Sequence, residues 1–317
     1  MRHVRDALLG TLIGDSLGVP HEFKQAHDVP AADQIEMVMP ADYRKTYAHV
    51  SYGTWPDDGS QTLCLLDTLA QNGGHFDLHD FAAQLLAWRD KARHQAGGVV
   101  NDCGGQTAWA LDRWRNGQSV DLTERGQGNG SLMRVIPATL LPSLWKRSPS
   151  EALTVAMQQS TATHPHPVLR ACCAVYAQIA LLWIADKALS VDSAVRQAFD
   201  LVARDPALDS PELQAALRSI RTHGEREMPT GSGYVVDSLW SSVWSLRQGH
   251  DYLSAVRAAI SLGQDTDTTA AVTGGLAGIR WGLDSVPLTW LNALTFPCES
   301  RALLDKVIET KRSNLQL

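Results

Sequence analysis

The segment 263–282, GQDTDTTAAVTGGLAGIRWG, restricts the architecture of this chain more than any other stretch. It opens on Asp265 and Asp267 in a D-x-D spacing, continues with the hydroxyls of Thr268 and Thr269, then runs through Ala, Gly, Val, Leu and Ile. The apolar part reads as a buried helix. Ala270, Gly274 and Gly278, each four residues apart, make a ridge of small residues against which another backbone can lie closely. The two carboxylates therefore sit in the turn leading into a central helix, and in an extended turn residues i and i+2 project to one side. No Lys or Arg lies between Arg257 and Arg280. Helix capping accounts for a lone Asp-Thr. Two carboxylates and two hydroxyls entering an apolar helix make a cation site the competing reading.

A second cluster sharpens that choice. Residues 53–63 read GTWPDDGSQTL, with Asp57 and Asp58 adjacent just before the helical pattern SQTLCLLDTLA, and no Lys or Arg occurs from Thr46 to Trp88. If both pairs face one cavity, four carboxylates meet with no basic neighbour in sequence. Desolvating them is prohibitive unless protons or metal ions supply positive charge. Oxygen-only ligands point to Mg²⁺ or Mn²⁺ rather than zinc.

Nearly every other segment recurs at the three- and four-residue spacing of a helix. Residues 4–17 form the first, with Gly10, Gly14 and Gly18 on one line as a second small-residue ridge and Asp15 among apolar neighbours. Glu22 follows a Pro turn and reads as an exposed loop carboxylate. Amphipathic helices are expected over 78–94 and 103–116, with Asp102 between glycines in their connection, where capping is the plain reading. In 124–141, Gly126, Gly128 and Gly130 alternate before a helix start, offering backbone N–H groups to an anion, and Ser131 and Arg134 add phosphate-binding chemistry. Neither a P-loop nor a dinucleotide fingerprint is present. His164 and His166 lie in a loop before a long core helix at 168–187, where capping or hydrogen bonding is the simpler role than metal ligation. Helices over 190–204, 210–223, 231–246 and 299–311 complete the pattern. Tyr234 opens the aromatic-rich helix either as a core residue or as a platform for a flat ring. Period-two β-branched runs are nearly absent, so the fold is all-α, with orthogonally packed helices and a cleft at helix ends and loops.

Composition narrows the partners. No linker, low-complexity tract or fixed-period repeat interrupts the chain, which reads as one domain over 1–317. A net charge of −6 gives no general attraction to nucleic acid or to an anionic membrane surface. The five cysteines are odd in number and lack a C-x-x-C pair, as in a reduced, cytoplasmic protein. The N-terminal apolar run is short and soon meets Asp15, unlike a signal peptide. The apolar stretch 171–185 reads as a core helix rather than a membrane span.

These pieces, in this order, resemble the ADP-ribosylglycohydrolase family. The resemblance spans almost the whole chain, through GDSLGVPHE at 14–22, GTWPDDGS at 53–60, NDCGGQT at 101–107 and GNGSLMR at 128–134. THPHP at 163–167, GSGYVVDSLW at 231–240 and GQDTDTTAAVTGGLAG at 263–278 complete it. It implies an all-α orthogonal bundle with a two-metal centre. Asp57, Asp58, Asp265, Asp267 and Thr268 match the family's metal ligands. The loop carrying Gly128, Asn129, Gly130, Ser131, Met133 and Arg134 matches the part that holds the diphosphate and ribose of ADP-ribose, and His164 joins it through THPHP. Tyr234 matches a position that stacks on adenine, and Asp102 a catalytic acid, both in the dinitrogenase-reductase branch. Glu22 matches a catalytic glutamate of the serine-directed branch. One position departs: the family usually has Thr-Asp-Asp with the Thr hydroxyl as a ligand, and this chain has Pro56 there, with Ser60 the nearest substitute in sequence.

The implied reaction is hydrolysis of the N-glycosidic bond between ADP-ribose and an arginine of a modified protein. Two divalent cations, Mg²⁺ or Mn²⁺, would clamp the ribose hydroxyls and position a water. Asp102 or Glu22 would handle the proton in an oxocarbenium-like step. Serine-, nucleic-acid- or small-molecule-linked ADP-ribose are alternative substrates. Pro56 keeps two other classes open: a non-catalytic ADP-ribose reader, and an immunity protein that blocks a toxin ADP-ribosyltransferase by binding it. A metal-dependent phosphohydrolase with an all-α fold is a third, disfavoured class.

Overall fold

The computed structural model describes residues 1–122 and 126–309. Glu124 and Arg125, which open the expected glycine-rich segment, and residues 310 and 311, into which the last helix was extended, lie outside the described residues. The chain begins with α1 (Arg2–Gly18), α2 (Asp57–Gln71), α3 (Leu78–Lys91), α4 (Gly105–Arg115), and the short α5 (Ile136–Thr139) and α6 (Leu141–Trp145). It continues with α7 (Pro149–Ser160), α8 (Pro167–Ala185), α9 (Val191–Val202), α10 (Pro211–Arg226) and α11 (Val235–Gln248). The last helices are α12 (Tyr252–Ser261), α13 (Thr266–Trp281), α14 (Leu288–Ala293) and α15 (Cys298–Glu309). Only isolated bridges, and no strands, occur among the described residues. The fold is all-α.

Its axis is the antiparallel pair of α1 and α13, which brings the two small-residue ridges together. A Cβ at Gly10 would fall 2.4 Å from Gly274 O, one at Gly14 2.1 Å from Ala270 O, and one at Gly278 2.0 Å from Asp6 O. Backbones this close leave room only for hydrogen at those positions. The contact surface is therefore main chain against main chain, packed at interior density. Tyr252 donates its hydroxyl to Gly10 O at 2.7 Å, and Tyr176 donates to Val272 O at 3.0 Å, so the polar tips of two buried rings end on backbone carbonyls. Around the pair, one hydrophobic cluster runs from Val4 to Val307. Helix α8 is long and apolar enough to cross a membrane by length and composition, but 72% of that window is buried within the protein. Cys172 and Cys173 are fully buried on it.

The antiparallel register decides where the site falls. The C-terminal end of α1 lies beside the N-terminal end of α13: a Cβ at Gly18 would meet Asp267 Cα at 2.4 Å, and Thr266 Oγ1 donates to Gly18 O at 2.8 Å. The N-terminal end of α2 joins them, its Gly59 N–H donating to Asp15 Oδ2 at 2.7 Å. Two helix N-termini, with their partial positive charge, thus meet one group of carboxylates. Helices α7 and α12 were not singled out by the spacing argument, although each is closed by a capping box, Ser148 with Glu151 and Asp251 with Ser254.

Candidate active site

Asp57 and Asp58 are the first two residues of α2, and Asp267 lies in the first turn of α13 behind Asp265 at the N-cap. The expectation that Asp265 and Asp267 converge through an extended turn is corrected: they converge because three helix ends are packed together. One carboxylate oxygen each from Asp15, Asp58 and Asp267 lie within 4.8 Å of one another, and so do oxygens from Glu22, Asp265 and Asp267. Asp267 belongs to both groups. Glu22 was expected to be exposed and is instead 4% exposed, because the turn after α1 folds it back over the end of α13. Phe23 N–H donates to Gln264 O at 2.6 Å, and Gln264 N–H to Lys24 O at 2.6 Å, which pins that turn in place.

The electrostatics follow from burial. Desolvation pushes the Asp57 carboxyl up to about 7 and Glu22 up to about 8, with repulsion from neighbouring carboxylates, Asp102 foremost, adding to it. Asp15, Asp58 and Asp267 are raised well above the ordinary range for the same reasons. Among the described residues, no Lys or Arg lines the cleft. Asp15 Oδ1, Asp58 Oδ1 and Glu22 Oε2 are buried without a hydrogen-bond partner among the described residues. Orphaned oxygens on a shared set of carboxylates are a donor set suited to hard divalent cations. Thr268 Oγ1 approaches Asp58 Oδ2 at 3.4 Å and completes the oxygen lining. Ser60 does not stand in for the hydroxyl that Pro56 lacks. Its Oγ donates to Pro56 O at 2.6 Å and lies 3.1 Å from Gln95 Oε1, the back-bonding of a serine inside a helix.

Above the carboxylates opens a cleft of about 460 Å³. Glu22, Asp57, Asp265, Asp267 and Thr268 form its floor; Asp102 to Thr107, Gly128 to Gly130, Met133, Gly233 and His164 form its walls. The glycine loop is tied down at both ends. Asn129 N–H donates to Gly233 O at 3.0 Å and Val235 N–H to Gln127 O at 3.1 Å, while Asn129 Nδ2 donates to Asp265 Oδ2 at 2.7 Å and to Ser238 Oγ at 2.8 Å. Asn129 thereby links the loop to the acidic floor.

Two sequence expectations about this loop are corrected. Ser131 and Arg134 do not reach the cleft: both are fully buried behind it, Ser131 bonded to Ser160 and Arg134 to Gln61, Gln159 and Thr163. Nor does the loop enter a helix N-terminus, because turns follow it and α5 starts only at Ile136, with Pro137 at its head.

Asp102 lines the cleft and does not cap. Gly104 is the N-cap of α4, while Asp102 Oδ1 accepts from Cys103 N at 2.8 Å. Its carboxyl is raised by burial. Tyr234 is not a core residue. It stands half-exposed beside the cleft, its backbone bridged to Gly128 and its ring edge-on to His223 at 6.2 Å. His166 accepts from Val168 N at 3.2 Å as the N-cap of α8.

The site also involves residues to which the sequence assigned no part: Asp15, buried beneath the cleft in the group with Asp58 and Asp267, and two residues of its rim. Asp15 was visible as an acid among apolar residues, which is a signal in itself, but nothing local shows what it faces. Phe23 and Gln264 line the rim in the left-handed backbone region, at φ of 61° and 58°. For a phenylalanine this conformation is strained and carries no sequence signature.

Comparison with known proteins gives four findings. A family model described as ADP-ribosylglycohydrolase matches residues 1–315. The ADP-ribosylarginine hydrolase Tri1 of Pseudomonas putida (strain GB-1) is 28% identical over 310 residues, 96% of this chain and 77% of that protein. The ADP-ribosyl-[dinitrogen reductase] glycohydrolase of Rhodospirillum rubrum is 25% identical over 295 residues, 92% of this chain and 90% of its own. A solved structure described as an ADP-ribosylglycohydrolase-related protein complex is similar with a TM-score of 0.71 at 30% identity, covering 96% of each chain.

Proposed function

The chain belongs to the ADP-ribosylglycohydrolase family, and on that premise we propose that it is a metal-dependent hydrolase that removes mono-ADP-ribose from modified arginine side chains of proteins. The observation that carries this reading is the pair of carboxylate groups sharing Asp267 at the floor of the cleft. Asp57, Asp58, Asp265, Asp267 and Thr268, with Glu22 and Asp15 within reach, would hold two divalent cations, Mg²⁺ or Mn²⁺. Such ions supply Lewis acidity toward ribose hydroxyls and water.

The protein's own residues account for the rest. Gly128, Asn129, Gly130 and Met133 present one wall to the diphosphate and ribose, and His164 closes it. Tyr234, half-exposed at the edge, offers its ring to the adenine. Asp102 holds one oxygen on Cys103 N–H and keeps the other for a proton. It takes that proton from the water that attacks the anomeric carbon as the C–N bond to the guanidino group breaks. Glu22, with its orphaned Oε2 on the same floor, is the competing base. The arginine linkage is preferred because of the similarity to the ADP-ribosylarginine hydrolase and to the dinitrogen-reductase glycohydrolase.

A second reading, a non-catalytic ADP-ribose binder or an inhibitor of a transferase toxin, is favoured by one observation: Pro56 brings no hydroxyl and Ser60 faces away. The deciding experiment is a panel of arginine-, serine- and nucleic-acid-linked ADP-ribose, assayed with Mg²⁺ and with Mn²⁺. Turnover of the arginine conjugate alone supports the proposal. Turnover of another linkage moves the substrate, and ADP-ribose binding without turnover of any leaves the binder.

A further inference from the structure

Arg134 is a fully buried guanidinium with no carboxylate in salt-bridge reach among the described residues. Its Nε donates to Gln159 Oε1 at 2.9 Å and its Nη1 to Gln61 Oε1 at 2.6 Å. Its Nη2 donates to Gln159 O at 3.2 Å and to Thr163 Oγ1 at 2.8 Å. The Phe81 ring lies 5.1 Å from its central carbon. Burial lowers its pKa to about 10, which still leaves it charged at neutral pH. A guanidinium has five donors and no acceptor, so every partner must turn an oxygen toward it. Two of those partners lead to the cleft. Gln61 gives its carbonyl to Arg134 and so directs its NH₂ at Asp57 Oδ2, 3.4 Å away.

The second connection settles a tautomer. Thr163 Oγ1 lies 2.7 Å from His164 Nδ1, so one hydrogen sits between them. With one lone pair of that oxygen taken by Arg134, two arrangements remain. If Nδ1 carried the hydrogen, the hydroxyl proton of Thr163 would need another acceptor, and the fully buried side chain has none among the described residues. A stranded buried donor costs about 1–3 kcal/mol. If Thr163 donates to Nδ1, every group is satisfied, and the neighbouring positive charge strengthens the hydroxyl as a donor. The ring hydrogen then lies on Nε2. That atom has no protein acceptor among the described residues, and the ring lines the cleft. A Cβ at Gly130 would come 3.3 Å from Nε2 and 2.8 Å from Cε1, which is why the loop passes the ring with a glycine.

We infer that Arg134 and Thr163 are positioning residues that lock His164 as the Nε2–H tautomer, giving the cleft a neutral hydrogen-bond donor for an acceptor oxygen of the ligand. The inference rests on the ADP-ribose reading above, whose phosphate and ribose oxygens are such acceptors. Burial and the Arg134 charge also push the ring down to about 3, so it stays neutral and its role is to donate rather than to act as a base. The buried arginine, expected from sequence to bind phosphate itself, acts one residue removed.

Removing Arg134 would leave Gln61, Gln159 and Thr163 without a donor and threatens the fold, so the test is made at Thr163. Thr163→Val keeps the shape and deletes the hydroxyl; Thr163→Ser restores it. The readout is long-range ¹H–¹⁵N correlation of the histidine rings in ligand-free protein, with His164 assigned by its loss in His164→Gln, alongside calorimetric titration with ADP-ribose. Wild type and Thr163→Ser should show the Nε2–H tautomer, without titration through the ordinary histidine pKa of about 6.5. Thr163→Val should lose that single tautomer and bind ADP-ribose about tenfold more weakly. An Nδ1–H ring in wild type, or a Thr163→Val protein with unchanged tautomer and affinity, overturns the inference. A wild-type protein that does not bind ADP-ribose brings down the functional reading instead, because the tautomer is read without ligand.

Discussion

Asp102 and Glu22 differ in what surrounds them, and that difference makes their roles separable. Asp102 is partly open to the cleft with one oxygen committed to Cys103 N–H, whereas Glu22 is buried among Asp265 and Asp267. If Asp102 takes the proton, Asp102→Asn retains shape and a hydrogen-bonding oxygen and loses only that capacity. Steady-state kinetics should then show kcat reduced about 10²–10⁴-fold, with ADP-ribose affinity nearly unchanged. A near-normal kcat moves the proton chemistry to Glu22, and Glu22→Gln becomes the inactive variant. Tyr234 is argued the same way. Its ring is half-exposed beside the loop it bridges, so Tyr234→Ala should weaken ADP-ribose binding by roughly 1–3 kcal/mol through lost stacking, and Tyr234→Phe should retain most of it. Calorimetry finding the Ala variant unimpaired would remove Tyr234 from the adenine site. At this scale the acids and their poverty in basic neighbours were legible from composition and spacing. The fate of Arg134 was not, because a basic residue beside a glycine loop looks the same whether it faces a ligand or three buried side-chain partners.

At the scale of elements, the α1–α13 pair is the part of the fold most open to a simple experiment. Gly14 lies where a Cβ would stand 2.1 Å from a backbone oxygen, and backbone cannot move aside as a flexible side chain can. Gly14→Ala should therefore destabilise the protein by about 1–3 kcal/mol, the usual cost of overpacking. Gly105→Ala, with nothing within 4 Å, should be neutral or slightly stabilising through its helix propensity. Chemical denaturation of the two variants side by side checks this; equal stabilities would mean that the close approach is not rigid. Both ridges were visible as glycines and alanines at four-residue spacing. That they meet each other, antiparallel, was not, since spacing within a helix says nothing about its partner.

For the whole molecule, the acidic floor should, on the proposed reading, make stability depend on pH and on cations together. The Asp57 carboxyl is raised from 3.8 to about 7 and Glu22 from 4.5 to about 8. Between those values the folded protein holds protons that the unfolded chain has released, so without metal, stability falls as pH rises through this window. The penalty is absent below the unfolded values and full above the folded ones. Cations that bind only the folded state remove it. Mg²⁺ or Mn²⁺ should raise Tm more at about pH 8 than at about pH 5, by linkage amounting to about 2.7 kcal/mol at a hundredfold excess over Kd, and chelation should reverse the gain. Thermal scans that are indifferent to cation at the higher pH would sink the cation site. Asp267→Ala, which removes the carboxylate common to both groups, should abolish the cation response along with hydrolysis.

By itself the sequence determined the all-α class, the two small-residue ridges and the two acidic pairs, because each is written in local periodicity and in the absence of nearby basic residues. It also carried the family, through motifs spread from residue 14 to residue 278. Tertiary structure alone decided that three helix ends converge, that Asp15 and Glu22 join the acids there, that Ser60 turns away from the place left by Pro56, and that Arg134 lies behind the wall rather than in it. These are questions of which side of a helix meets which neighbour. The physical reason is the same for each: burial and hydrogen-bond partners are set by packing between segments far apart in the chain, which local spacing does not record.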